Sequence, residues 1–257
     1  MRRFLLLLPA CLLAASCAHV EAPSRNPLAE WVPSPNLDQR RPVVIVIHAT
    51  EQASAQQSLD TLRTANRHGP VSSHYLVGDD GRLYQLVADS ERAWHAGGGR
   101  WGTLTDLNST SIGIEIDNEV GEPFTEAQLA TLLRLLDDLT SRLSIPKTQV
   151  IAHADLAPTR KRDPGALFPW QRLADAGYGL WPRGELADPP AGFDPWLAMA
   201  AIGYPLEDRA AAVRAFHRHY RGRDDGDDPQ AAFDAEDLRI LHALAAQRSG
   251  TDAVATP

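Results

Sequence analysis

The chain has 257 residues, 44% hydrophobic, 23% charged and 7% aromatic, a mix that excludes a disordered tail, a collagen-like repeat and a coiled-coil rod. With 25 basic and 33 acidic side chains the net charge is −8, so no global basic field draws in nucleic acid and no nucleic-acid partner is expected. Both cysteines, Cys11 and Cys17, lie within the first 17 residues, which leaves the rest of the chain without a disulfide, a thiolate metal site or a cysteine nucleophile.

Arg2 and Arg3 precede an apolar run from Phe4 to Ala15, broken only by Pro9 and too short to span a bilayer, so residues 1–16 read as a secretory signal. Leu13-Ala14-Ala15-Ser16-Cys17 resembles the lipobox of bacterial lipoproteins, with the leucine one place further from the cysteine than is usual. The resemblance implies a lipid on Cys17. Because Ala18 is not an aspartate, it also implies an outer-membrane anchor facing the periplasm. Pro23, Pro27, Pro33 and Pro35 with little periodicity mark residues 17–40 as a tether and irregular entry.

The domain proper is expected over 41–182. Val43-Val44-Ile45-Val46-Ile47 is a β-branched run ending in His48, which predicts a buried strand. Leu59, Leu62 and Ala65 predict a helix over 54–67, and 72–77 with 82–87 predict a hairpin about Gly78-Asp79-Asp80-Gly81. A polar, glycine-rich loop over 95–110 leads into a strand at Ser111–Asp117. Thr125 and Gln128 predict a capping box, followed by a stripe of Leu129, Leu132, Leu133, Leu136, Leu139 and Leu143. Val150-Ile151-Ala152 is a short strand ending in His153, with a further helix near Trp170–Ala176. Strands alternating with helices indicate an α/β domain with a central sheet. Residues 183–193, with Gly184, Pro189, Pro190 and Gly192, read as a linker. Three helical patterns, near 194–202, 206–220 and 234–248, the first and third capped by Asp194 and Asp234, predict a small three-helix domain over 194–250 that resembles peptidoglycan-binding domains and docks on the preceding domain through Trp196 or Tyr204. Within it His217, His219 and Tyr220 beside Arg214, Arg218 and Arg221 read as a basic helix face, and Asp224–Asp228 as a solvated loop.

His48 and His153 each terminate an apolar strand, where α/β folds present reactive groups. Asp163 follows His153 by ten residues, ahead of Pro164-Gly165, which fix its loop. Two imidazoles and a carboxylate suit zinc, which keeps a fourth place for water when catalytic. A histidine at a strand end is also a common structural residue, so spacing alone leaves both readings open.

Five stretches together are specific: Val46-Ile47-His48-Ala49-Thr50, Val71-Ser72-Ser73-His74-Tyr75-Leu76-Val77, Ala93-Trp94-His95-Ala96-Gly97, Ser111-Ile112-Gly113-Ile114-Glu115-Ile116 and the run from His153 to Lys161. In this order, over roughly residues 40–182, they resemble the zinc-dependent N-acetylmuramoyl-L-alanine amidases of the type-2 amidase family, and with the lipobox and helical tail the lipid-anchored outer-membrane amidases of Gram-negative bacteria. The resemblance implies a mixed sheet flanked by helices and one zinc per chain, held by His48, His153 and Asp163. It implies Glu115 as the catalytic acidic residue and Lys161 as the catalytic basic one. A carboxylate there can move a proton from water to the leaving amine, and a cation can stabilise charge on the carbonyl oxygen. Trp94 and His95 are expected substrate contacts, and His74 a packed, hydrogen-bonded residue. The implied partner is peptidoglycan or a muropeptide, cut between N-acetylmuramic acid (intact or 1,6-anhydro) and L-alanine by a monomer. The alternative is a non-catalytic peptidoglycan-binding protein on the same fold, against which the complete ligand set argues.

Overall fold

The computed structural model describes residues 26–36, 42–66 and 69–248; the expected signal, Cys17 and most of the tether lie outside the described residues. Within them a six-stranded mixed sheet forms from β1 (Glu30–Trp31), β2 (Val44–Ala49), β3 (Tyr75–Val77), β4 (Leu83–Gln85), β5 (Ser111–Ile116) and β6 (Val150–Ala152). The order is β1-β4-β3-β5-β2-β6. Every pairing is parallel except the β3–β4 hairpin. The α/β class and the hairpin are as expected. β1 is a correction to the tether reading: Asn26 and Ser34 are buried, and the two-residue strand pairs with Tyr84 and Gln85. Two residues are too few to carry an alternating pattern.

The central strands are buried on both faces, which is why β2 is a continuous run of valine and isoleucine. β5 differs. Its isoleucines 112, 114 and 116 alternate with Ser111, Gly113 and Glu115, so one face is apolar and the other holds a hydroxyl, a gap and a carboxylate. Helix α3 (Glu126–Arg142) supplies the covering layer with Leu129, Leu132, Leu135, Leu136 and Leu139, and its Thr125/Gln128 capping box is formed. The sequence stripe named Leu133, which is only partly buried, and passed over the fully buried Leu135. Helix α1 (Ala55–Arg63), capped by Ser54, ends short of the predicted residue 67, and α2 (Leu107–Thr110), capped by Asp106, interrupts the glycine-rich loop.

After the short helices α4 (His153–Leu156) and α5 (Trp170–Asp175), the chain reaches α6 (Pro195–Ile202), α7 (Arg209–Phe216) and α8 (Ala235–Arg248). Asp194 caps α6 as expected. A π-helical turn at His217–Arg221 extends α7. The basic helix face expected there is corrected. His217, Arg218 and His219 are all at most 5% exposed, and Arg218 and Arg221 pair with Asp224 and with Asp234 and Asp237. A turn wider than 3.6 residues carries successive side chains inward, which helical spacing does not anticipate. These helices do not form a separate core: Met199, Ile202, Phe216 and Leu241 belong to one apolar cluster with Ile47, Ile114 and Leu132. Gly203 adopts φ 135°, and a Cβ there would lie 2.6 Å from the Trp101 ring, so glycine permits this close contact.

Candidate active site

Sheet register assembles the site. His48 at the end of β2 lies opposite Glu115 on β5, and Ile47 lies opposite Ala152 on β6, so His153 emerges one residue further on, beside His48. Asp163 returns on the loop after α4, which is tied down where the Ala154 N–H donates to the Asp163 carbonyl at 2.9 Å. His48 Nδ1 and His153 Nδ1 then stand 3.1 and 3.0 Å from the same oxygen, Asp163 Oδ2. All three residues are buried, and their three donor atoms lie within 4.8 Å of one another.

The protons in this cluster can be counted. His153 Nε2 is 3.0 Å from the Ala96 carbonyl, which can only accept, so Nε2 donates there and Nδ1 is the nitrogen turned to Asp163. Burial, together with the neighbouring His153, lowers the His48 pKa to about 4, against the pull of Asp163. Burial also works against ionisation of Asp163, but the two imidazoles outweigh it and hold the carboxyl well below the usual range. A buried set of two imidazoles and an ionised carboxylate, converging within 4.8 Å, fits a divalent cation such as zinc.

Glu115 is 13% exposed, with Oε1 4.0 Å from His48 Nδ1. Burial first, and then the negative charge of Asp163, push its pKa up to about 8, while Lys161 opposes the shift. Lys161 faces the same cleft, which is lined as well by Glu51, Ser72, Trp94 and His95. The five expected metal-site and catalytic residues are therefore brought together.

The expected substrate contacts differ from one another. Trp94 lines the cleft, with its indole N–H enclosed and unpaired among the described residues. His95 also borders the cleft, but its ring nitrogens turn to His48 Nε2 (2.9 Å) and Ser111 Oγ (3.2 Å). His74 is fully buried, accepting from the Gly113 N–H at Nδ1 and facing the Glu91 carbonyl at Nε2, the packed role expected of it. Two supporting residues escaped the sequence reading. Asn108 Oδ1 accepts from both the His95 and Ala96 N–H groups, and Arg160 donates to the carbonyls of Ala96 and Gly98. Asn108 lies outside the five stretches, and Arg160, inside the run from His153 to Lys161, carries no signal of its own for this role. Asp155, two residues after His153, accepts from the Ala152 N–H at 2.9 Å through Oδ2, which also lies 2.7 Å from His219 Nδ1, and from the Tyr204 hydroxyl at 2.7 Å through Oδ1.

The family described as N-acetylmuramoyl-L-alanine amidase (Amidase_2) matches residues 38–166. The chain is 41% identical to N-acetylmuramoyl-L-alanine amidase AmiD of Escherichia coli K12 over 86% of this chain and 91% of that protein. It is 33% identical to 1,6-anhydro-N-acetylmuramyl-L-alanine amidase AmpD of the same organism, over 56% of this chain and 90% of that one. Among solved structures, the complex of E. coli AmiD with anhydro-N-acetylmuramic acid-L-Ala-D-gamma-Glu-L-Lys superposes with a TM-score of 0.67 at 34% identity, covering 89% of this chain and 93% of that chain.

Proposed function

The chain belongs to the N-acetylmuramoyl-L-alanine amidase family, and on that premise we propose that it hydrolyses the amide between the lactyl group of N-acetylmuramic acid, intact or 1,6-anhydro, and the L-alanine of the stem peptide. The observation that carries this reading is the His48–His153–Asp163 cluster with Glu115 beside it in one cleft. One zinc ion per chain, held by those three residues, would polarise the scissile carbonyl and acidify water for attack. Glu115 takes the proton of the attacking water and delivers it to the departing alanine nitrogen. A carboxyl with a pKa raised towards neutrality suits both directions of transfer. Lys161 offers its ammonium to the carbonyl oxygen as negative charge builds there. Trp94 is placed to contact sugar or peptide from the cleft wall.

The protein acts as a monomer on wall polymer or its fragments, tethered to the outer membrane through lipid on Cys17 and facing the periplasm. Support comes from the signal-length apolar run ending in Ser16-Cys17 and from the relatives' wall substrates. The expected peptidoglycan-binding-like domain over 194–250 and the linker 183–193 complete the arrangement. Mass spectrometry of products from defined muropeptides, with and without a chelator, tests the reading. Chelator-sensitive release of the intact stem peptide is expected. Cleavage between amino acids, or none, would overturn it.

A further inference from the structure

We propose that Glu51 is a specificity-determining residue whose carboxylate draws in stem peptides carrying a side-chain ammonium on the third residue. This rests on the amidase reading above and adds to it the charge of the preferred peptide. Glu51 opens the loop between β2 and α1 and lines the same cleft as His48, Glu115, Lys161 and Asp163. Among the described residues, Glu51 and Ser144 are the only ones other than glycine with a positive φ. Ser144 follows the end of α3, where a left-handed residue is an ordinary helix stop. Glu51, at φ 54°, follows a strand, where glycine or asparagine would adopt that conformation at less cost. Strained positions of this kind gather at ligand clamps. Glu51 is exposed, and its carboxylate makes no hydrogen bond or ion pair among the described residues. Lys161 and Arg162 act on it only through space, and Arg162 is itself paired with Asp227 at 2.6 Å. The carboxylate is available to meet a charge on the substrate.

An uncut muropeptide offers one group of opposite sign. In the anhydro-N-acetylmuramic acid-L-Ala-D-gamma-Glu-L-Lys bound by AmiD, the alanine nitrogen is held in the scissile amide and the sugar nitrogen is acetylated. The γ-linked glutamate and the C-terminus contribute carboxylates, which Glu51 repels. The lysine ε-ammonium is the only cation. Glu51 follows His48 by three residues, which places their backbones within about 11 Å of each other. An alanine, a γ-linked glutamate and a lysine side chain together can bridge such a distance from the scissile bond.

Steady-state kinetics on that tripeptide and on its Nε-acetyl-lysine form, which lacks the positive charge, give the test. Wild type is expected to favour the lysine form by about 2–5-fold in kcat/KM, through KM, the scale of an exposed ion pair. Glu51→Gln is expected to bring the two substrates level, and Glu51→Lys to invert the preference, which the bulk of the acetyl group alone could not do. Comparing substrates within each variant cancels any change at Glu115, on which Glu51 also acts electrostatically. A wild type without preference overturns the proposal, as does a preference that persists in Glu51→Gln. If Glu51 served only to hold Lys161, Glu51→Gln would lower kcat on both substrates alike and leave their ratio unchanged, which also overturns it. A wild type that cuts neither peptide would overturn the amidase reading itself, and the proposal with it.

Discussion

Glu115 and His48 pull the metal-free protein in opposite directions. The Glu115 carboxyl is raised from 4.5 to about 8, so between those values the unfolded chain has released a proton that the folded chain keeps. Raising pH across that window favours unfolding, and the penalty levels off above 8. Glu115→Gln should therefore raise the Tm of the metal-free protein relative to wild type by an amount that grows up to pH 8 and then stays constant. A pH-independent difference would refute the shift. His48, lowered from 6.5 to about 4, acts at the other end: the unfolded chain takes the proton first, and stability falls as pH drops through that window. In turnover, Glu115→Gln and Lys161→Ala should each lose roughly 10²-fold or more while keeping stoichiometric zinc. His153→Ala should lose zinc and activity together, as metal analysis of the purified variant would show. His48 and His153 were legible because each ends a β-branched or apolar run. Asp163, Glu115 and Lys161 were legible only through the motifs around them. The contacts of His95 were not, because they depend on which strands lie side by side.

At the scale of elements, α3 and β5 wrote their structure plainly. A capping box opens the helix and the serine–glycine–glutamate alternation declares a two-faced strand. β1 and the π-helical turn did not, one being too short for a period and the other having a different one. That turn delivers His219 to Asp155, while the segment after α6 delivers Tyr204 to the same carboxylate. His219 also stacks on Trp170 at a ring separation of 3.9 Å. Asp155→Ala would leave the Tyr204 hydroxyl and the Ala152 N–H buried without an acceptor, each costing about 1–3 kcal/mol. Tyr204→Phe removes one bond to a buried carboxylate oxygen and should cost about 1.5–3 kcal/mol. Denaturant unfolding would rank them, and a Tyr204→Phe loss as large as that of Asp155→Ala would contradict this assignment.

For the molecule as a whole, the continuous core makes the C-terminal helices part of the same folding unit as the sheet. The three-helix pattern was readable from Asp194 and Asp234 and their apolar positions; of the two docking residues expected, Tyr204 reaches Asp155, whereas Trp196 stays within the helices, against Phe233 and Arg209. A single calorimetric transition is expected for the full chain, and removal of residues 194–257 should expose enough apolar surface to abolish soluble expression. Two separable transitions would show the helices to be autonomous. Replacing Cys17 by serine should release the protein from the membrane fraction, and unchanged fractionation without fatty-acid labelling would refute lipidation. The Asp155 junction has a further consequence for genetics. Tyr204 and His219 lie 49 and 64 residues downstream of the turn they brace. In a loss-of-function screen scored on wall lysis, alleles at these two distant codons should therefore behave as metal-site lesions, suppressed by zinc supplementation of the medium, whereas alleles at Glu115 or Lys161 should not respond.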